Sequence, residues 1–135
     1  MTPFDLHHEV QGVPALATAT ISSNTTTIGI EVDTANFHAL EFFVQSGTVT
    51  DGDFALSIQE SDVSGSGYTA ASMEETLGAG TAFAAGDDGL VKRIGYIGKK
   101  RYAQLVITST GVSSGGAFSA VGVLGSAFNQ PVSDD

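Results

Sequence analysis

Short runs of residues in which apolar and polar side chains alternate, each cut off by a cluster of Gly, Asp and Ser, constrain this chain more than any other feature. In an extended strand successive side chains point to opposite faces, so a period of two marks a strand buried on one side. In 26–32, Ile28, Ile30 and Val32 alternate with Thr27, Gly29 and Glu31. In 38–46, Leu40, Phe42 and Val44 do the same, with Phe43 on the other face, as expected of a strand covered on both sides. Phe54, Leu56 and Ile58 follow after Thr50-Asp-Gly-Asp, a turn that predicts a hairpin between these two segments.

Between Ser61 and Gly89 the alternation fades into glycine-rich sequence, and we expect the long excursion of the fold there. Ser72 as N-cap, Glu75 as its capping-box partner and Gly78 as the stop predict one helical turn within it. Strand character returns over 90–97 and 102–110, with Gly98-Lys-Lys-Arg as the turn of a second hairpin. Gly111-Val-Ser-Ser-Gly-Gly makes a third turn before a last strand over 117–124, where Phe118, Ala120 and Leu124 oppose Val121 and Val123. Six or seven short strands without a helical period predict an all-β fold, an antiparallel β-sandwich or a jelly-roll-like barrel with extended terminal arms.

A chain of 135 residues suits one domain, read as an N-terminal arm over 1–13, a β body over 14–127 and a C-terminal tail over 128–135. It has no cysteine, so packing holds the fold without disulfides or thiolate metal sites. The arms carry scattered apolar residues, among them Phe4, Leu6, Val10, Val13 and Phe128. Two readings are open for them: they fray, or their apolar side chains anchor in a neighbouring subunit. The first residues form no signal peptide, and no run reaches the roughly 18 apolar residues of a membrane span. We therefore expect a soluble protein with no membrane partner.

Fifteen acidic residues against five basic ones give a net charge of -10, which repels phosphate backbones and argues against nucleic-acid binding. All five bases, Lys92, Arg93, Lys99, Lys100 and Arg101, fall in one ten-residue window, with Tyr96 and Tyr102 among them. As an ordinary hairpin tip, such a cluster keeps a sheet edge from mispairing. The reading we favour is a contact with an acidic partner surface, because Arg and Tyr are frequent interface anchors. The candidate partner-binding residues are thus Phe4, Leu6, Lys92, Arg93, Tyr96, Lys99, Lys100, Arg101 and Tyr102.

Catalytic patterns are thin. Gly111-Val-Ser113-Ser-Gly115 matches the nucleophile-elbow spelling, yet no helical pattern and no histidine follow it, and that chemistry needs both. Of the three histidines, His7 and His8 lie in the arm and His38 at a strand start. Asp51, Asp53, Glu60 and Asp62 suit turn and edge positions better than the six to eight ligands calcium requires. We expect no enzyme, no metal and no cofactor. A lectin-like module stays open as a rival, although tryptophan platforms for a sugar are missing.

Two stretches carry a resemblance. Asp51-Gly-Asp-Phe-Ala-Leu-Ser-Ile-Gln-Glu-Ser-Asp-Val-Ser-Gly-Ser-Gly-Tyr and Ile94-Gly-Tyr-Ile-Gly-Lys-Lys-Arg-Tyr-Ala-Gln-Leu-Val-Ile-Thr-Ser-Thr-Gly resemble small structural proteins of tailed bacteriophages and prophages. The ending Phe118-Ser-Ala-Val-Gly-Val-Leu-Gly fits the same group. The resemblance covers about half of the chain and contains no catalytic residues. It implies a head decoration or cement protein, made in the host cytoplasm and carried on the outer capsid surface of the virion. Its partners would be the major capsid protein and further copies of itself, as a homotrimer. A tail or head-completion component is the competing structural role.

Overall fold

The computed structural model describes residues 5–128. Eleven strands account for most of them: β1 (Gln11–Ile21), β2 (Thr26–Ile28), β3 (Val32–Asp33), β4 (Phe37–Val49), β5 (Asp53–Ser61), β6 (Thr69–Ala70), β7 (Thr76–Leu77), β8 (Ala82–Ala84), β9 (Val91–Tyr96), β10 (Tyr102–Thr110) and β11 (Gly116–Ala127). One sheet runs β1-β11-β4-β9-β7, and the other runs β2-β10-β5-β6, with β3 added beside β10 and β8 beside β5. All pairings are antiparallel, and the two sheets form a β-sandwich over a shared core.

Alternation placed the inward faces correctly in the long strands. Leu40, Phe42 and Val44 on β4, Phe54, Leu56 and Ile58 on β5, and Phe118, Ala120 and Leu124 on β11 are all buried. At the centre, Phe118 from the first sheet meets Phe54 and Phe83 from the second, with ring centroids 4.7 and 5.2 Å away. Each such ring withdrawn from water stabilises the fold by about 1.5–3 kcal/mol before entropy is counted.

The hairpins expected from the turns are not formed. β4 and β5 belong to different sheets, and so do β9 and β10. The turns at 50–52, 97–101 and 111–115 therefore carry the chain across the sandwich instead of folding it back beside itself. Asp51 shows how one crossing supports another: its carboxylate accepts the backbone N–H groups of Ser113 (2.9 Å), Ser114 (3.0 Å) and Gly115 (2.9 Å). That stretch is the one spelled like a nucleophile elbow. Here it joins strand to strand, and its amides are occupied by Asp51.

The strand expected over 26–32 is also divided. Thr26–Ile28 pairs with β10, then the Ile30 amide turns to the Ala15 carbonyl of β1 at 2.7 Å, and Val32 rejoins β10. The segment thus ties one edge of the sandwich together, which leaves Ile28 and Ile30 exposed and Val32 buried. In the excursion, the helical turn is one 3-10 turn over Met73–Glu75, with the Ser72 hydroxyl on the Glu75 carboxylate at 3.1 Å. The same excursion supplies short edge strands to both sheets, β6 and β8 against β5 and β7 against β9. Glu31 pins its first loop, accepting from the Ser64 hydroxyl, the Gly65 amide and the Tyr68 hydroxyl. At the N-terminus β1 opens at Gln11, so 11–13 pair with β11 within the first sheet.

Candidate functional site

The crossing over 97–101 builds the most developed surface feature. It starts from Tyr96, whose ring is buried at the end of β9 and whose hydroxyl donates to Glu60 on β5 at 2.7 Å. The Lys100 amide in turn donates to that hydroxyl at 3.0 Å. Burial, followed by the bond to Glu60, pushes the Tyr96 hydroxyl above its ordinary pKa. Gly98 passes so close to the ring that a Cβ there would strike it. Tyr96, expected as a surface anchor, thus acts as the internal post around which the crossing is wound.

Two ion pairs fasten the outside of the loop. Arg101 grips Asp33 with two parallel bonds of 2.8 Å, the planar fork that guanidinium and carboxylate share. The Arg101 hydrogen bond holds the Asp33 carboxyl below its ordinary pKa. Thr34 adds its amide and hydroxyl to the Arg101 carbonyl at 2.9 and 2.6 Å. Lys100 meets Asp62 at 2.6 Å, which raises its pKa. Tyr102 is half-buried with Arg101 over its ring, 5.1 Å from the centroid. Lys99 is exposed, and among the described residues it makes no ion pair.

Between this loop and the β3–β4 connection lies a cleft of about 520 Å³. Its walls include Asn36, Phe37, His38, Tyr96, Lys99 and Phe128. Phe128 is held there by its amide on the Asn36 carbonyl (2.8 Å) and by its ring against His38 (4.2 Å between centroids). The lining is thus polar and aromatic, with Lys99 as an exposed cation beside the Lys100–Asp62 pair, which suits polar groups better than a small apolar ligand.

The five bases do not form one surface. Lys92 lies opposite Val44, four residues along β9 from Tyr96, which is about 13 Å at strand spacing. There it donates to the Ala82 carbonyl at 2.6 Å, lies 3.4 Å from Asp87 and covers the Phe83 ring. Arg93 points outward from the first sheet near Glu41. Leu6 is exposed in a turn closed by the Glu9 amide on its carbonyl, and Phe4 lies outside the described residues. Of the nine candidates, the structure brings together Tyr96, Lys99, Lys100, Arg101 and Tyr102. Asp33, Asp62, His38 and Phe128 complete the site. No local pattern marks these four, because strand register and the crossing bring them there.

Other candidate chemistry is dispersed. Asp5 and His8 pair in the N-terminal turn, Glu60 is buried against Tyr96, and Asp51 is taken by backbone amides. Among the described residues no group of three or more His, Asp or Glu is arranged to hold a metal ion.

No protein-family model matches the chain, and no curated protein matches it. Among solved structures, it is similar to a chain in the structure of infectious bursal disease virus, Gx strain, with a TM-score of 0.51 and 16% identity. The likeness covers 90% of this chain and 34% of the viral chain, so this protein spans about a third of the length of its structural neighbour. At that identity the likeness is one of fold alone: an all-β sandwich, as the two packed antiparallel sheets of this chain show.

Proposed function

We propose that this chain is a structural component of a virus particle that works by adhesion and not by catalysis. The observation that carries the reading is the backbone likeness over 90% of the chain to a protein of a virus particle. More finely, we propose a decoration protein on the outer surface of a tailed-phage head, bridging neighbouring major capsid subunits. The resemblance of the segments around Asp51–Tyr68 and Ile94–Gly111 supports that step. The physical design suits it as well. Two packed sheets with clamped crossings give a stiff body, and the cleft beside Lys99 offers a cationic contact in an otherwise acidic chain. Contacts of modest strength add up when many copies sit on one shell.

The test is to co-express the chain with a tailed-phage major capsid protein, purify the shells and count bound copies by quantitative mass spectrometry and electron cryomicroscopy. Occupancy on the order of hundreds of copies on the outer surface supports decoration. A few copies at the neck or tail would replace it with a tail or head-completion role. Absence from particles altogether would end the virion reading.

A further inference from the structure

The outer face of the sheet β1-β11-β4-β9-β7 is nearly free of charge, in a chain whose net charge is -10. Its register lays out the rows. Pro14, Val121, Phe43 and Arg93 stand side by side across four strands, and Val123, Glu41, Gly95 and Leu77 form the next row. Val91 follows on the other side, level with Gln45 and Ser119. Val121, Val91 and Leu77 are each at least half exposed to solvent. Within these five strands the charged residues are Glu41, Lys92 and Arg93, and Lys92 lies on the inward side over Phe83.

The two outward charges have opposite sign and lie close together. Glu41 pairs in register with Gly95, two residues along β9 from Arg93. Its carboxylate lies flat over Gly95, where a Cβ would stand 2.5 Å from Oε1, with the Leu77 side chain beside it. Burial there raises the Glu41 pKa, opposed by the charge of Arg93. A carboxylate already partly stripped of water on an apolar face can be covered further only if a cation meets it.

We propose that this face is covered by the same face of a second copy of the chain, packed sheet on sheet about a two-fold axis. Two observations select this occupant. A two-fold axis passing between Glu41 and Arg93 sets each Arg93 against the partner's Glu41, so the face is complementary to itself, as an isologous contact requires. With strands about 3.3 Å per residue and 4.8 Å apart, β1, β11, β4 and β9 together offer roughly 600 Å² of face. That falls at the lower bound of the roughly 600 to 1,000 Å² per partner in stable interfaces. Elsewhere the acidic surface resists self-association, whereas here the charge sums to zero. The inference goes beyond the virion role and does not depend on it, since it concerns the free protein. It also replaces the three-fold assembly implied by the sequence resemblance with a two-fold one.

The experiment is sedimentation equilibrium on the full chain, with far-ultraviolet circular dichroism as the check on folding. The wild type is expected to reach twice its 13.8 kDa mass as concentration rises. Val121→Lys places a charge at an exposed position in the middle of the face, and is expected to be a folded monomer. Glu41→Arg and Arg93→Glu singly should each weaken the dimer about tenfold or more, and the double exchange should restore it to within about threefold. A wild type that stays monomeric at about millimolar concentration overturns the proposal. So does a trimer, a folded Val121→Lys that still associates, or a double exchange no better than the single ones. Shell binding by Val121→Lys, measured separately, reports on the virion role alone.

Discussion

The Tyr96 hydroxyl on β9 donates to the Glu60 carboxylate on β5, 2.7 Å away in the interior, and so joins the two sheets beneath the basic crossing. Each satisfies the other inside, since a buried carboxylate needs a donor and a buried phenol hydroxyl needs an acceptor. Tyr96→Phe should therefore destabilise the protein by about 1–3 kcal/mol, read from urea denaturation with an unchanged slope. Adding Glu60→Leu to that variant should recover part of the loss, because the orphaned carboxylate goes too. A Tyr96→Phe protein as stable as the wild type would show that the bond contributes nothing.

Phe118 is the ring through which both sheets meet. Its replacement by Ala removes contacts to Phe54 and Phe83 at once and leaves a cavity in a fully buried place. A cost of about 3–5 kcal/mol is expected, measured by the shift of the denaturation midpoint. A loss below about 1 kcal/mol would mean that the core closes over the gap.

Asp51 gives the acid side of the stability profile a defined direction. The three amides of Ser113, Ser114 and Gly115 hold its carboxyl below the ordinary 3.8 in the folded protein. A folded pKa below the unfolded one stabilises above the unfolded value, and that stability is lost as pH falls through the folded value. Asp51→Ala should therefore melt earlier than the wild type at neutral pH. The gap should narrow as pH falls from 3.8 through the lower folded value, where the carboxyl of the folded wild type takes up its proton. Thermal melts across that range check it, and a gap independent of pH would remove the charge from the explanation.

Lys99 and Arg101 separate attachment from folding. Arg101 is tied to Asp33 by two hydrogen bonds and closes the crossing, so its loss disturbs the loop itself. Lys99 is exposed at the cleft, and its replacement by Glu should leave stability within about 0.5 kcal/mol. On the proposed reading, the same change should weaken binding to shells, and more strongly at low salt than at high salt, where charges are screened. Cosedimentation with shells over a salt series measures this. Binding unaffected at every salt concentration would take the cleft out of the contact.

Period-two alternation determined much of this molecule by itself: that it is all-β, which faces of β4, β5 and β11 turn inward, and where the chain turns between them. Those properties are local, because they depend on side chains within a few residues of one another along an extended backbone. The tertiary structure alone decided which sheet each strand joins. Both sheets bury one face in the same core, so a strand reads alike in either, and Gly-Asp turns serve a crossing as readily as a hairpin. The site follows the same division. The clustering of Lys99, Lys100 and Arg101 is legible in the sequence. The burial of Tyr96 against Glu60, the placing of Asp33 beside Arg101 and the separation of Lys92 from the other bases follow from register between strands far apart in the chain.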